Sequence, residues 1–305
     1  MSVLGLVETI LGFVGIVAIG WIMKRTGVLK AQDVRPINAL IIYVGLPAMI
    51  FRAVHGAALG SDLVLVAAVA WGVFVVTALL SWAIARALNL PRSIAGGFIL
   101  AAALGNTGYI GYPISEALLG DTGLVRAIFY DVFGTVGALL LVGLFIAQRF
   151  SDSAEEPSIN PLREALAFPA VIALALALVL RPVAVPELVS TGIDALANIV
   201  VPLIMVSVGL SLKFSSIRRH AAPLVFLGVL RLVAAPLVAL GIGSLALSDH
   251  EALRLVVLEA GMPSMMLTLV IGARFRLDTD FIAGAILVTT LASILSIPLM
   301  QVLVG

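Results

Sequence analysis

Apolar residues run in long blocks separated by short polar stretches, from one end of the chain to the other. The blocks fall at 4–23, 36–54, 63–85, 94–119, 124–148, 165–182, 188–212, 221–247, 251–273 and 281–304. A helix needs about 20 mostly apolar residues to cross a bilayer, so the pattern predicts ten spanning helices. The first block has no basic residue before it, is followed directly by Lys24 and Arg25, and lacks a small-residue cleavage site. It is therefore expected to be a span and not a signal peptide. The longest polar stretch, RFSDSAEEPSINPLRE at 149–164, lies mid-chain. It divides the sequence into an N-terminal half at 1–150, a cytoplasmic linker at 151–164 and a C-terminal half at 165–305.

Composition supports the same picture. Hydrophobic residues make up 62% of the 305 positions and charged residues 11%, with a mean hydropathy of +1.20. A soluble domain carries about 25% charged residues, and less than half of that cannot cover a water-facing surface. No cysteine is present, which excludes disulfides and thiolate chemistry. His55, His220 and His250 lie at segment ends or in loops, which argues against a histidine metal cluster. Basic residues fall unevenly: thirteen, from Lys24 to Arg276, lie after the odd-numbered spans, and the opposite side holds Arg52, Arg126, Arg181 and Arg254. Because cytoplasmic loops are rich in lysine and arginine, both termini are expected outside.

The halves resemble each other. INALIIYVGLPAMIF in span two aligns with IDALANIVVPLIMV in span seven, placing Pro47 and Pro202 nearly in register. Five spans per half is an odd number, so the second half is expected to be inverted relative to the first, a plan shared by many secondary transporters.

Two spans are poor helices at their centres. Span four carries Gly105, Asn106, Thr107, Gly108, Tyr109, Ile110, Gly111, Tyr112 and Pro113 in succession; span nine carries Gly261, Met262, Pro263 and Ser264. Glycine costs a helix about 1 kcal/mol, and proline removes a donor and clashes with the turn before it. Freed backbone groups cannot face lipid, and interrupted segments at matching positions point to a transporter's binding site. Half-helices starting near Pro113 and Pro263 would bring two N-termini, with their partial positive charge, to mid-membrane as an anion site. Asn106, Thr107 and Ser264 would add neutral polar contacts, while Tyr109, Tyr112, Met262 and Met265 would line the apolar part of a ligand. Three further charges fall inside spans: Asp131 in span five, Arg231 in span eight and Glu259 just before the break of span nine. Intramembrane charges are functional candidates, and Arg231 and Glu259, of opposite sign and similar depth, are expected to pair.

At these residues the chain resembles the auxin efflux carrier family, which includes plant PIN carriers and bacterial malonate-type permeases. The resemblance covers nearly the whole chain and is strongest at GNTGYIGYPI, FYDVFGTVGALLLVGLF, VPLIMVSVGLSL and VTTLASILSIPLMQVLV. It implies an all-α integral membrane fold like that of sodium/proton antiporters and bile-acid symporters. In that fold ten helices form two inverted five-helix repeats, and spans four and nine cross at their broken centres. It also implies an elevator, with spans three to five and eight to ten moving against a scaffold of spans one, two, six and seven. Family substrates are small carboxylates. This chain lacks the long central loop of plant members, and Gly261-Met262-Pro263 stands where they carry an asparagine beside the proline, so the plant substrate does not transfer.

The expected function is a secondary transporter or facilitator of a small organic anion in the cell's inner membrane. It would need no cofactor beyond proton or sodium coupling, with Asp131, Arg231 and Glu259 as coupling or buried charges. Expected partners are a carboxylate, the lipid bilayer and a second copy of the chain through the scaffold helices, with no nucleic acid. Alternatives are a sodium-coupled symporter of the bile-acid type and an ion channel or sensor. A membrane protease is disfavoured, since Tyr130-Asp131 and Gly120-Asp121 stand in the wrong order and no HExxH occurs.

Overall fold

The computed structural model describes residues 3–151, 160–211 and 219–304. Lys213, Arg218 and linker residues 152–159 lie outside the described residues. The chain forms helices α1 (Val3–Thr26), α2 (Val34–His55), α3 (Leu63–Ala87), α4 (Arg92–Ala103) and α5 (Thr107–Arg149) before the linker. After its start come α6 (Pro161–Leu166), α7 (Pro169–Val179), α8 (Glu187–Ser211), α9 (Ala221–Ala246), α10 (His250–Ala260), α11 (Leu267–Arg274) and α12 (Thr279–Val304). Among the described residues six helices, α2, α3, α5, α8, α9 and α12, are long and apolar enough to cross a membrane, and no strand forms. Their exteriors carry the apolar residues that a lipid environment requires: Leu245 is 91% exposed and Leu295 78%. The protein is a multi-pass integral membrane protein.

The predicted span four is split. α4 ends at Ala103, Leu104 is extended, and helix resumes at Thr107, earlier than Pro113. It runs to Leu119, breaks at Gly120, whose non-helical φ of 66° and ψ of −162° suit glycine and fall where the boundary between spans four and five is expected, and continues as a second arm to Arg149. The predicted span nine is likewise split into α10 and α11, with Pro263 inside the connecting stretch and not at a helix start.

Proline explains this placement. Wide π turns at Ile41–Gly45, Thr107–Gly111 and Leu230–Ala234 immediately precede the turns holding Pro47, Pro113 and Pro236. A ring that would collide with a carbonyl of the preceding turn is accommodated when that turn widens. Pro113 therefore widens its helix instead of interrupting it.

Close packing of small residues holds other elements in place. α1 lies along the second half of α8, where the missing side chains of Gly20 and Gly209 leave room for the carbonyls of Val206 and Val17. The buried apolar residues form two clusters. One joins α2, α7, α8 and α10 to parts of α3, α5, α9 and α12; the other joins α4 and α11 to further parts of α3, α5, α9 and α12. At one end of the bundle Arg126 of α5 binds Asp62, 2.7 Å away before α3, and Asp249, which caps α10 through the Glu251 amide. Partial burial pushes the Asp249 carboxyl up, but the Glu251 and Ala252 amides and Arg126 outweigh it and hold it below its ordinary value.

Candidate functional site

The two breaks cross. Gly105 and Ser264 form an isolated antiparallel bridge; the Asn106 amide donates to the Pro263 carbonyl at 2.7 Å and the Met265 amide to the Leu104 carbonyl at 3.0 Å. Each break thus satisfies backbone groups of the other, which is how two interrupted helices persist where no lipid group can do so.

Four helix ends meet at this point, and two buried charges serve them. Arg231, 2% exposed on the π turn of α9, donates from Nε to the Met262 carbonyl at 2.9 Å. Its Nη1 donates to the carbonyls of Ala102 and Ala103, both at 3.2 Å, and its Nη2 to that of Ala260. These acceptors are the carbonyl ends of α4 and α10, which carry partial negative charge and lack helical partners. Asp131, 4% exposed on a π turn of α5, works at the opposite pole. Its Oδ1 accepts from Thr107 Oγ1 at 2.5 Å and its Oδ2 from Tyr112 Oη at 2.8 Å. Gly108 packs against this carboxylate, so Asp131 faces the N-terminal turn of α5, where partial positive charge favours an anion.

The expected pairing of Arg231 with Glu259 does not form as a direct contact. The guanidinium is engaged by four carbonyls, while Glu259, fully buried, accepts from Ser115 Oγ at 2.7 Å through Oε1. Broken helix ends supply better-placed acceptors for the arginine than the carboxylate one residue before Ala260.

The named site residues come together. Asn106, Thr107, Gly108, Tyr112, Pro113, Gly261, Met262, Pro263, Ser264 and Met265 are all buried around the crossing, and Tyr109 is partly buried. Ser264 is fully engaged: its amide donates to Thr289 Oγ1 at 3.0 Å and its hydroxyl to the Ala101 carbonyl at 2.7 Å. Asn106 differs. Its carbonyl accepts from the amides of Ile110 and Gly111, but its Nδ2, in a side chain 2% exposed, has no partner among the described residues.

A cavity of about 10 Å³, large enough for one water, opens at the crossing between Gly105, Thr107, Tyr130 and Arg231. Ligand-sized space, about 500 Å³, lies further along the first arm of α5 and is lined by Arg52, Glu116, Leu124, Asn198 and Val201. There Arg52 donates to Asn198 Oδ1 at 2.7 Å and to Glu116 Oε1 at 3.2 Å.

Sequence reasoning did not single out Ser115, Thr289, Arg52 or Asn198. Ser115 and Glu259 are separated by 144 positions and Arg52 and Asn198 by 146, so neither contact has a local signal. Thr289 lies in the VTTLASILSIPLMQVLV stretch that carries the family resemblance, and that was its one visible mark.

Apolar helices arranged around two crossed, charge-compensated breaks define a multi-pass membrane protein of the transporter class. The chain belongs to the membrane transport protein family, the auxin efflux carrier-like group, which it matches over residues 6–301. It is 33% identical over 305 residues to an uncharacterized transporter of Methanothermobacter thermautotrophicus, covering 99% of each chain. It is 28% identical over 293 residues to an uncharacterized transporter of Methanocaldococcus jannaschii, covering 93% of this chain and 94% of that one.

Proposed function

We propose that this transporter is a secondary carrier or facilitator of a small organic anion, a carboxylate, which it binds at the crossing. The observation that carries the reading is the unpartnered Asn106 amide, buried at the start of α5 beside the break of the other half. A buried donor without a partner costs about 1–3 kcal/mol, and a ligand oxygen there recovers it. The N-terminal turn of α5 adds partial positive charge at the same place. Met262, Met265 and Tyr109 supply apolar and aromatic surface for the rest of the molecule.

The mechanism is an elevator. In this reading ten crossings in two inverted halves, 1–150 and 165–305, put both termini on one side of the inner membrane, and the lysine and arginine bias makes that side the outside, with the 151–164 linker in the cytoplasm. α3 to α5 and α9 to α12 move as a body past α1, α2 and α6 to α8, which also form the contact between two copies. The cavity at Arg52 and Asn198 is the route by which substrate reaches the crossing in this conformation. Its guanidinium, shared between Asn198 of the scaffold and Glu116 of the moving body, attracts an incoming carboxylate.

Calorimetric titration of the purified protein with a panel of mono- and dicarboxylates tests the site. Wild type binds at least one member, and Asn106→Ala binds it about tenfold more weakly with its thermal stability no lower. Equal affinity in both proteins would place the site elsewhere.

A further inference from the structure

We infer that Glu259 is the proton-carrying side chain of this transporter, so that the carboxylate substrate and a proton cross the membrane together. The inference rests on the carrier reading above and adds the coupling ion.

Glu259 sits in the last turn of α10, fully buried. One carboxylate oxygen accepts from Ser115 Oγ at 2.7 Å; the other, Oε2, has no hydrogen-bond partner among the described residues. No ion pair to it forms among the described residues. An ionised carboxylate taken out of water needs several donors or a directly bound cation to offset its lost hydration. One hydroxyl is not enough. The C-terminal end of a helix, with its partial negative charge, is also the less favourable end for an anion. In this conformation the site suits a carboxylic acid better than a carboxylate.

The surroundings fit a proton better than a metal ion. Gly111 lies against both carboxylate oxygens, so that the position of a side chain at residue 111 is already filled by the Glu259 carboxyl. That contact leaves no room on the Gly111 side of the carboxyl, and no group of three or more acidic or histidine side chains gathers here among the described residues. The ionisable groups facing Glu259 are Tyr112 of the first arm of α5, Tyr130 and Asp131 of the second arm, and Arg231 of α9. Asp131 is satisfied by two hydroxyls and Arg231 by four carbonyls, which leaves Glu259 as the buried charge-bearing group with an open valence.

Coupling follows from position. The Gly111 amide donates to the Asn106 carbonyl at 3.1 Å, so the Glu259 carboxyl lies beside the turn proposed to hold the substrate. An anion there and an ionised Glu259 would repel each other. Substrate binding is therefore favoured when Glu259 carries a proton, taken up when the site is open to the uptake side. After the body moves and the anion leaves, the carboxylic acid releases that proton to the other side. The transfer is a protonation and a deprotonation of one oxygen, with no other bond made or broken.

Proteoliposomes carrying a trapped pH-sensitive dye test the inference with a labelled carboxylate from the panel. For one proton per anion, an imposed gradient of one pH unit, acid on the uptake side, drives up to about tenfold accumulation. The dye reports lumenal acidification at the same time. In Glu259→Gln the ratio of gradient-driven uptake to counterflow falls to about one and the dye signal disappears, whatever the absolute rate. Infrared difference spectra supply a readout independent of transport and of substrate. A protonated-carboxyl band at neutral pH should be present in wild type, absent in Glu259→Gln, and shifted in Ser115→Ala. Gradient-driven accumulation by Glu259→Gln, or the absence of that band from wild type, would overturn the inference. Wild-type exchange that is indifferent to pH would overturn the coupling and leave the carrier reading standing. A wild-type protein that moves no carboxylate while its band is present would instead refute the carrier reading and, with it, the coupling.

Discussion

Arg231 illustrates what a single position discloses. Its depth and charge are legible in the sequence, and so is its claim to importance, since an arginine at mid-membrane costs at least about 2.5 kcal/mol. Its partners are not legible. They are main-chain carbonyls at Ala102, Ala103, Ala260 and Met262, and every residue has a carbonyl; only the crossing frees these four and aims them at one point. The same reasoning separates Asp131, whose acceptors are filled by Thr107 and Tyr112, from Glu259, whose second oxygen is not. Removing the arginine unpairs the ends of two half-helices at once. Arg231→Ala should therefore lower stability by about 3 kcal/mol or more, read as a lower melting temperature in detergent. Because the partners are carbonyls and not Glu259, exchanging the two residues (Arg231→Glu with Glu259→Arg) should do no better than Arg231→Ala. Recovery in the exchanged protein would restore the direct ion pair as the correct account.

The breaks themselves were legible in the helices, but not where helix resumes. Glycine, asparagine and proline together mark 105–113 and 261–264 as poor helix, yet composition does not say whether proline starts a helix or is absorbed by one. Around Pro113 the chain absorbs it through the π turn Thr107–Gly111, which moves the helix start ahead of the proline and brings Thr107 and Gly108 onto Asp131. Pro263 lies in the stretch between α10 and α11, where its carbonyl accepts the Asn106 amide. The two prolines therefore have different roles. Pro113→Ala removes the clash that widens the turn, and the turn should tighten and rotate Thr107 away from Asp131. Carboxylate affinity should fall several-fold while the melting temperature drops only slightly, with hydrogen exchange altered across 107–113 alone. A Pro113→Ala protein with unchanged affinity would mean that the wide turn has another cause.

At the scale of the whole molecule the sequence was most informative. An apolar fraction of 62% against 11% charge already requires lipid around the chain, and among the described residues six helices, α2, α3, α5, α8, α9 and α12, are long and apolar enough to cross it. Less legible was how short the joint between spans four and five would be: Gly120 leaves helical geometry and the two arms of α5 follow one another directly. Nor does any local pattern foretell the 500 Å³ cavity, whose walls come from α2, α5 and α8. On the proposed function these elements would serve one act, the passage of a carboxylate held at the crossing. Counterflow of a labelled carboxylate into proteoliposomes measures that act directly, with wild type and Asn106→Ala compared at equal protein density. Wild type should exchange label rapidly, and Asn106→Ala, folded equally well, should exchange about tenfold more slowly at substrate levels below saturation. Equal rates in the two proteins, or no exchange of any carboxylate by wild type, would contradict the account.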